Sequence, residues 1–255
     1  MNNEIYVLLD LFYRVLGSKL DKTRYAFKGG YILGKYTGID NRSTRDLDMT
    51  IAGEKDFVNI EGILEPVLDE LVKRGVIDSY KFKMPKVTDD RNISGGLTVY
   101  KKGKSANNVL KKFKYTGIDI SIHPMNVGGV IINPDGFSQY SLERSLGDKV
   151  AVLYSDRDML LRRIRDVYDI HCIISVTDGN ISILRCYEFC ELRNVNVQRK
   201  SVLEELVSYN SDIIFGALKD FLCNDERTLI QDVSDVQIRR ILESAFWLLE
   251  RLRSV

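Results

Sequence analysis

Apolar residues at the start of the chain recur at helical spacing. Ile5, Leu8, Leu9, Phe12, Val15 and Leu16 fall on one face, which predicts an amphipathic helix over MNNEIYVLLDLFYRVLG. Arg24–Phe27 then reads as a short strand, Gly29-Gly30 as a tight turn and Tyr31–Tyr36 as the opening of a helix. From Asp46 to Ile51 the period drops to two: Asp46, Asp48 and Thr50 alternate with Leu47, Met49 and Ile51, the pattern of a strand with one polar and one apolar face. A long amphipathic helix is expected from about Phe57 to Lys73, and β-prone runs at Val76–Lys83, Gly96–Tyr100, Gly117–His123 and Val130–Asn133. Near residue 140 the pattern turns helical, with segments near Ser141–Tyr154, Asp158–Ser175, Ile181–Arg193, Ser201–Tyr209, Ile213–Leu222 and Asp235–Arg253. The last opens on Ser234-Asp235 as a cap, and its apolar stripe, with Trp247 as a core residue, needs other helices to pack against. The expectation is an α/β (α+β) domain over 1–140, a mixed sheet with flanking helices, followed by a helical domain over 141–255.

Length and charge narrow the partners. A chain of 255 residues can bury the cores of two modest domains. With 37 Lys+Arg against 36 Asp+Glu, no global basic field advertises nucleic-acid binding. Local clusters do occur at Lys101-Lys102-Gly103-Lys104, Lys111-Lys112-Phe113-Lys114 and Arg162-Arg163-Ile164-Arg165. The first two flank a loop rich in Gly, Ser and Asn, and suit an RNA backbone or a solvated loop face equally. The absence of a basic leader and of a continuous apolar span predicts a cytoplasmic protein. Cys172, Cys186, Cys190 and Cys223 are too irregular for a disulfide framework. Cys186 and Cys190 lie one helical turn apart, yet no second cysteine pair or histidine pair completes a zinc signature, so they read as core. His123 and His171 end apolar runs and read as structural.

The chemistry concentrates in KGGYILGKYTGIDNRSTRDLDMTI, residues 28–51. Two carboxylates one residue apart on a strand, Asp46 and Asp48, converge on one side and offer hard oxygen ligands to Mg²⁺ or Mn²⁺. Gly29 and Gly30 allow backbone to approach a phosphate at a helix start, and Lys28 adds a mobile cation beside it. That combination suits phosphoryl or nucleotidyl transfer. A third carboxylate is expected from Tyr115–His123, where Asp119 and Ser121 alternate with Ile118, Ile120 and Ile122. Asp119 in a central strand needs a cation or donor to offset burial; the alternative is an edge strand with its polar side in water.

The order of strand, GG, helix, loop, RSTRDLD and strand resembles the nucleotidyltransferase superfamily, and within it the AbiEii toxin family, with its KGG turn and its basic, Ser/Thr-containing lead into a DLD strand. Gly30 stands where most polymerase-type members have serine, and the interval from Gly30 to Asp46 is longer than the commonest version; both departures are usual for AbiEii-like proteins. A second block, residues 143–170, matches the family's lysine, following arginine and RD-x-x-D helix as Lys149, Arg157, Arg165, Asp166 and Asp169. The resemblance implies a nucleotidyltransferase fold whose helical domain completes the nucleotide cleft. It also implies Asp46, Asp48 and Asp119 as metal ligands, and Lys28, Gly29, Gly30, Ser43, Thr44 and Arg45 at the nucleotide. Lys149 would contact the triphosphate, and Asp166 would organise the site. The bland alternative for the helix is a solvated face of ion pairs, Arg162 with Asp166 and Arg165 with Asp169. The resemblance further implies the toxin of a bacterial toxin–antitoxin pair acting in abortive phage infection. Such a toxin would transfer NMP from an NTP to RNA, such as a tRNA 3′ end, and would have a cognate antitoxin. Three other readings share parts of the pattern: a nucleotidyltransferase modifying a small molecule or protein, a non-catalytic nucleotide-binding regulator, and a structural interaction protein.

Overall fold

A computed structural model of the chain describes residues 2–37, 46–52, 60–87, 92–102, 110–123, 128–224 and 233–255. The chain forms two compact units, Met1–Ile32 with Ser43–Tyr140, and Leu33–Arg42 with Ser141–Val255. The second unit thus includes a segment, 33–42, that the expected boundary at residue 140 leaves in the first.

In the first unit α1 (Asn2–Lys19) precedes β1 (Tyr25–Phe27), α2 begins at Gly29 and runs to Thr37, and β2 spans Leu47–Ala52. α3 (Ile60–Lys73) is followed by β3 (Ser79–Val87), β4 (Asn92–Lys102), β5 (Leu110–His123), β6 (Val130–Ile132) and β7 (Ser138–Tyr140). The strands make one seven-stranded mixed sheet in the order β3-β4-β5-β2-β1-β7-β6. β2 lies parallel to β5 and antiparallel to β1, so the strand carrying Asp48 is interior. Alternation explains its placement: Leu47 and Met49 are buried and contribute to the core. Leu8, Leu9 and Phe12 of α1 and Leu68 and Leu71 of α3 line one small apolar cavity with Leu47, Leu97 and Val99 of the sheet, on the face that the helical spacing of the N-terminal apolar residues predicts. β3, β4 and β5 are longer than their β-prone runs, and β7, only three residues, gave no periodic signal.

The second unit is helical: α4 (Leu142–Leu153), α5 (Arg157–Arg162), α6 (Arg165–Thr177), α7 (Ile183–Leu192), α8 (Val202–Asn224) and α9 (Asp235–Arg253). Side-chain caps fix several starts. Ser141 accepts from the Arg144 N–H, and Ser234 and Gln237 form a reciprocal capping box on α9. The single helix expected over Asp158–Ser175 is two. The Arg163 N–H bonds both the Met159 and Leu160 carbonyls, closing a tight final turn before α6 restarts. The two helices expected over Ser201–Tyr209 and Ile213–Leu222 are present as the two arms of α8, which kinks at Asn210, where φ is −158° and ψ is 81°. Gly147 lets α4 approach α7 closely, since a Cβ there would meet Phe189 at 2.5 Å. Leu146, Val150, Val167, Ile170, Ile173, Leu248 and Leu249 lie in one buried cluster, with Cys186, Cys190 and, at its edge, Trp247. Among the described residues, no helix is long and apolar enough to cross a membrane.

Candidate functional site

β1 ends at Phe27, opposite Met49, and the Lys28 N–H donates to the Asp48 carbonyl at 3.0 Å. The chain then swings into α2 through Gly29, whose φ is +72°. Gly29 and Gly30 form the first turn of α2 and are not a separate turn before it. A Cβ at Gly29 would collide with the Asp48 carboxylate, so both backbone conformation and space demand glycine. Asp46 stands just ahead of β2 and Asp48 within it, both half-buried. Thr50, expected on the same polar face, is fully buried and shares a 2.7 Å hydrogen bond with the Tyr140 hydroxyl.

β5 runs beside β2 with Asp119 opposite Asp48 and Ser121 opposite Thr50. It is flanked by β2 and β4, which overturns the edge-strand alternative for Asp119. The Asp119 side chain, and all of Ser43, Thr44 and Arg45, lie outside the described residues. Lys28 Nζ reaches across β2 and donates to Ser121 Oγ at 2.6 Å. Ser121 is therefore part of the constellation, and its alternation with Asp119 was the one signal for it. Among the described residues no group of three His, Cys, Asp or Glu side chains is placed to hold a metal. The described donors are Asp46 and Asp48: half-buried carboxylates at the head of a strand, set against a glycine without a Cβ, a hard-oxygen set that fits Mg²⁺ or Mn²⁺.

For Gly29→Ala we expect a loss of about 1–3 kcal/mol in denaturant unfolding. Gly75→Ala is the control: Gly75 also has a positive φ, but a Cβ there would meet nothing within 4 Å. A larger loss at residue 29 than at residue 75 isolates the collision with Asp48.

In the second unit Lys149 on α4 donates to Asp166 Oδ1 at 2.9 Å and to Asp169 Oδ2 at 2.5 Å, both on α6. All three are buried, at 9%, 2% and 1% exposure. Burial disfavours the ammonium, but attraction to Asp166 and Asp169 and their hydrogen bonds outweigh it, so the Lys149 pKa is raised. Arg163 comes within 2.8 Å of the second Asp166 oxygen, yet that oxygen receives no hydrogen bond; the distance makes an ion pair and the angle does not make a bond. Burial overturns the solvated-face alternative for this helix, since Asp166 and Asp169 turn inward to Lys149, while the Arg162 Nε donates to the Asp158 carbonyl. Arg157, the first residue of α5, is exposed.

Cys186 and Cys190 are buried in the helical core, whereas Cys223 is exposed. Burial pushes the Cys190 thiol up to about 12 and raises that of Cys186 as well. His171 shares a 2.8 Å hydrogen bond with Ser244, and burial lowers its pKa.

A profile of the family described as Nucleotidyl transferase AbiEii toxin, Type IV TA system, matches residues 10–220. Two solved structures from Helicobacter pylori align along nearly the whole chain. One, assigned as a nucleotidyltransferase, has a TM-score of 0.57 at 14% identity and covers 99% of this chain and 96% of its own. The other, JHP933, has a TM-score of 0.56 at 15% identity and covers 97% and 91%. At those identities the likeness establishes the fold. No curated protein sequence matches the chain.

Proposed function

The chain belongs to the nucleotidyl transferase AbiEii toxin family of Type IV toxin–antitoxin systems, and from that premise we propose that it transfers NMP from an NTP to a hydroxyl of RNA, such as a tRNA 3′ end, as the toxin of an abortive phage infection system. The family is one of nucleotidyltransferases and brings with it a cognate antitoxin. The observation that carries the proposal is the meeting of Gly29 with Asp48, which joins a phosphate-type turn to a carboxylate strand.

Asp46, Asp48 and Asp119 would hold Mg²⁺ or Mn²⁺, which when bound supplies charge neutralisation at the attacking and leaving oxygens. The first-turn N–H groups of α2 at Gly29-Gly30 suit a phosphate oxygen, and Lys28 adds positive charge beside them. By the family resemblance Ser43, Thr44 and Arg45, which lie outside the described residues, would join the nucleotide contacts. The acceptor oxygen bonds to the α-phosphorus as pyrophosphate leaves, and the acceptor's proton passes to Asp119. In the second unit Lys149 donates to Asp166 and Asp169, and by the family resemblance it would contact the triphosphate, with Asp166 fixing its direction.

Support for a polyanionic acceptor comes from β3, β4 and β5, which carry eight lysines and one acidic residue, Asp119. Register sets Lys81, Thr98 and Lys114 in one row, and Lys86, Ser94, Asp119 and Asp48 in another. Thr98 and Ser94 share a face of β4, so lysine and carboxylate positions belong to one face of the sheet.

The test is incubation of purified protein with each α-labelled NTP, Mg²⁺ and total bacterial RNA, beside Asp48→Asn. Label in RNA that vanishes in the variant is the expected result. Pyrophosphate without labelled RNA would move the acceptor to a small molecule or protein, and no pyrophosphate with any acceptor would leave a nucleotide-binding regulator.

A further inference from the structure

The hydroxyl of Tyr13 sits at the end of β1, where the strand stops and the chain turns away into α2. Asp48 faces Lys28 across this end of the ladder and accepts its N–H at 3.0 Å. The Asp48 N–H in turn donates to Tyr13 Oη at 3.0 Å, and the same hydroxyl lies 3.5 Å from the Asp48 carbonyl. A side chain from α1 thus supplies the acceptor that a continuing strand would have offered.

The ring is held as firmly as the hydroxyl. Tyr13 is 0% exposed. It stacks on Tyr31 at 4.1 Å and 9°, and meets Phe27 edge-on at 4.4 Å. Phe27 and Tyr31 are the residues on either side of Lys28-Gly29-Gly30, so one aromatic ring is gripped by both flanks of the turn while its hydroxyl grips the carboxylate strand. Tyr31 is anchored in turn, donating to Asp10 Oδ1 at 2.5 Å, and Asp10 accepts from Arg14 Nε at 2.7 Å. Asp10, Tyr13 and Arg14 all belong to α1. Phenylalanine would fill the same space, so the hydroxyl is what packing alone does not explain; a buried hydroxyl is tolerated where it is bonded.

We propose that Tyr13 is a positioning residue for nucleotidyl transfer: its hydroxyl closes the sheet ladder at Asp48 and fixes that carboxylate relative to the Gly29-Gly30 turn. The proposal rests on the reading of Asp48 as a metal ligand. Small misplacements of such a group are costly to rate.

The test compares Tyr13→Phe with Tyr31→Phe, which removes a hydroxyl from the same stack but one bonded to Asp10. In Tyr13→Phe without metal or nucleotide, the Asp48 amide should exchange with solvent about tenfold faster, while the amides of Met49–Ala52 keep wild-type rates. Mn²⁺ affinity and kcat should each fall about tenfold with KM for NTP near wild type. Tyr31→Phe should keep the Asp48 amide protected. Wild-type exchange at Asp48 in Tyr13→Phe, or faster exchange with unchanged kcat and Mn²⁺ affinity, would overturn the positioning role. Unchanged Mn²⁺ affinity in Asp48→Asn would instead overturn the metal reading beneath it.

Discussion

Replacing Asp48 by asparagine is expected to lower nucleotidyl transfer by about a thousandfold, while the protein unfolds in denaturant much as wild type does. The substitution keeps the shape of the side chain and removes its charge. Both backbone bonds at residue 48, from the Lys28 N–H and to the Tyr13 hydroxyl, are made by main-chain atoms and survive the change. So does the close approach to Gly29, which depends on side-chain volume. In the proposed reading, what is lost is the anionic oxygen that would face the cation and the developing charge of the transferred phosphate, in a half-buried setting where charge counts for more than in water. Label transfer under single-turnover conditions, with circular dichroism and urea unfolding alongside, separates the two effects. A loss below tenfold in a folded variant would place the catalytic charge elsewhere. Adding excess Mn²⁺ should recover part of the rate, because weaker binding is then offset by concentration.

The parts of this site that were legible in the sequence are those whose chemistry is local. Period two around Leu47, Met49 and Ile51 identified β2 because each apolar residue had to face the core. Gly29 was legible as a special position, but the reason for it, the Asp48 carboxylate, lies nineteen residues away in sequence and belongs to the tertiary fold. Tyr13 was passed over for the same reason: it sits amid Phe12 and Val15 on an amphipathic helix, and nothing in that periodicity distinguishes a packing ring from one whose hydroxyl completes a sheet. Spacing decided least at Asp166 and Asp169. Arginines four residues before each made a solvated face plausible, and only the packing of α6 against α4 reveals Lys149 as their shared partner. Boundaries failed where tertiary contacts set them, as in β7, whose three residues pair with β1 and β6.

Lys149→Met should destabilise the protein by about 3–5 kcal/mol, the largest stability effect expected of a single change here. The wild-type ammonium is balanced by two carboxylates at 2.9 and 2.5 Å, themselves 2% and 1% exposed. Without it, two buried carboxylates sit one turn apart on α6, and Arg163, in an ion pair with Asp166 at 2.8 Å, offsets them only in part. The pH dependence follows from the signs. The Lys149 pKa is raised, so its contribution to stability is complete below the unfolded value of about 10.4 and is lost only as pH climbs through the higher folded value. The wild-type ion pair therefore gives no slope across neutral pH on account of Lys149. Adding Asp166→Asn and Asp169→Asn to Lys149→Met removes all three charges and should restore much of the lost stability in urea unfolding. It should not restore label transfer. Recovered stability without recovered activity would give Lys149 a role at the phosphates beyond holding α4 to α6, whereas recovery of both would reduce the triad to structure.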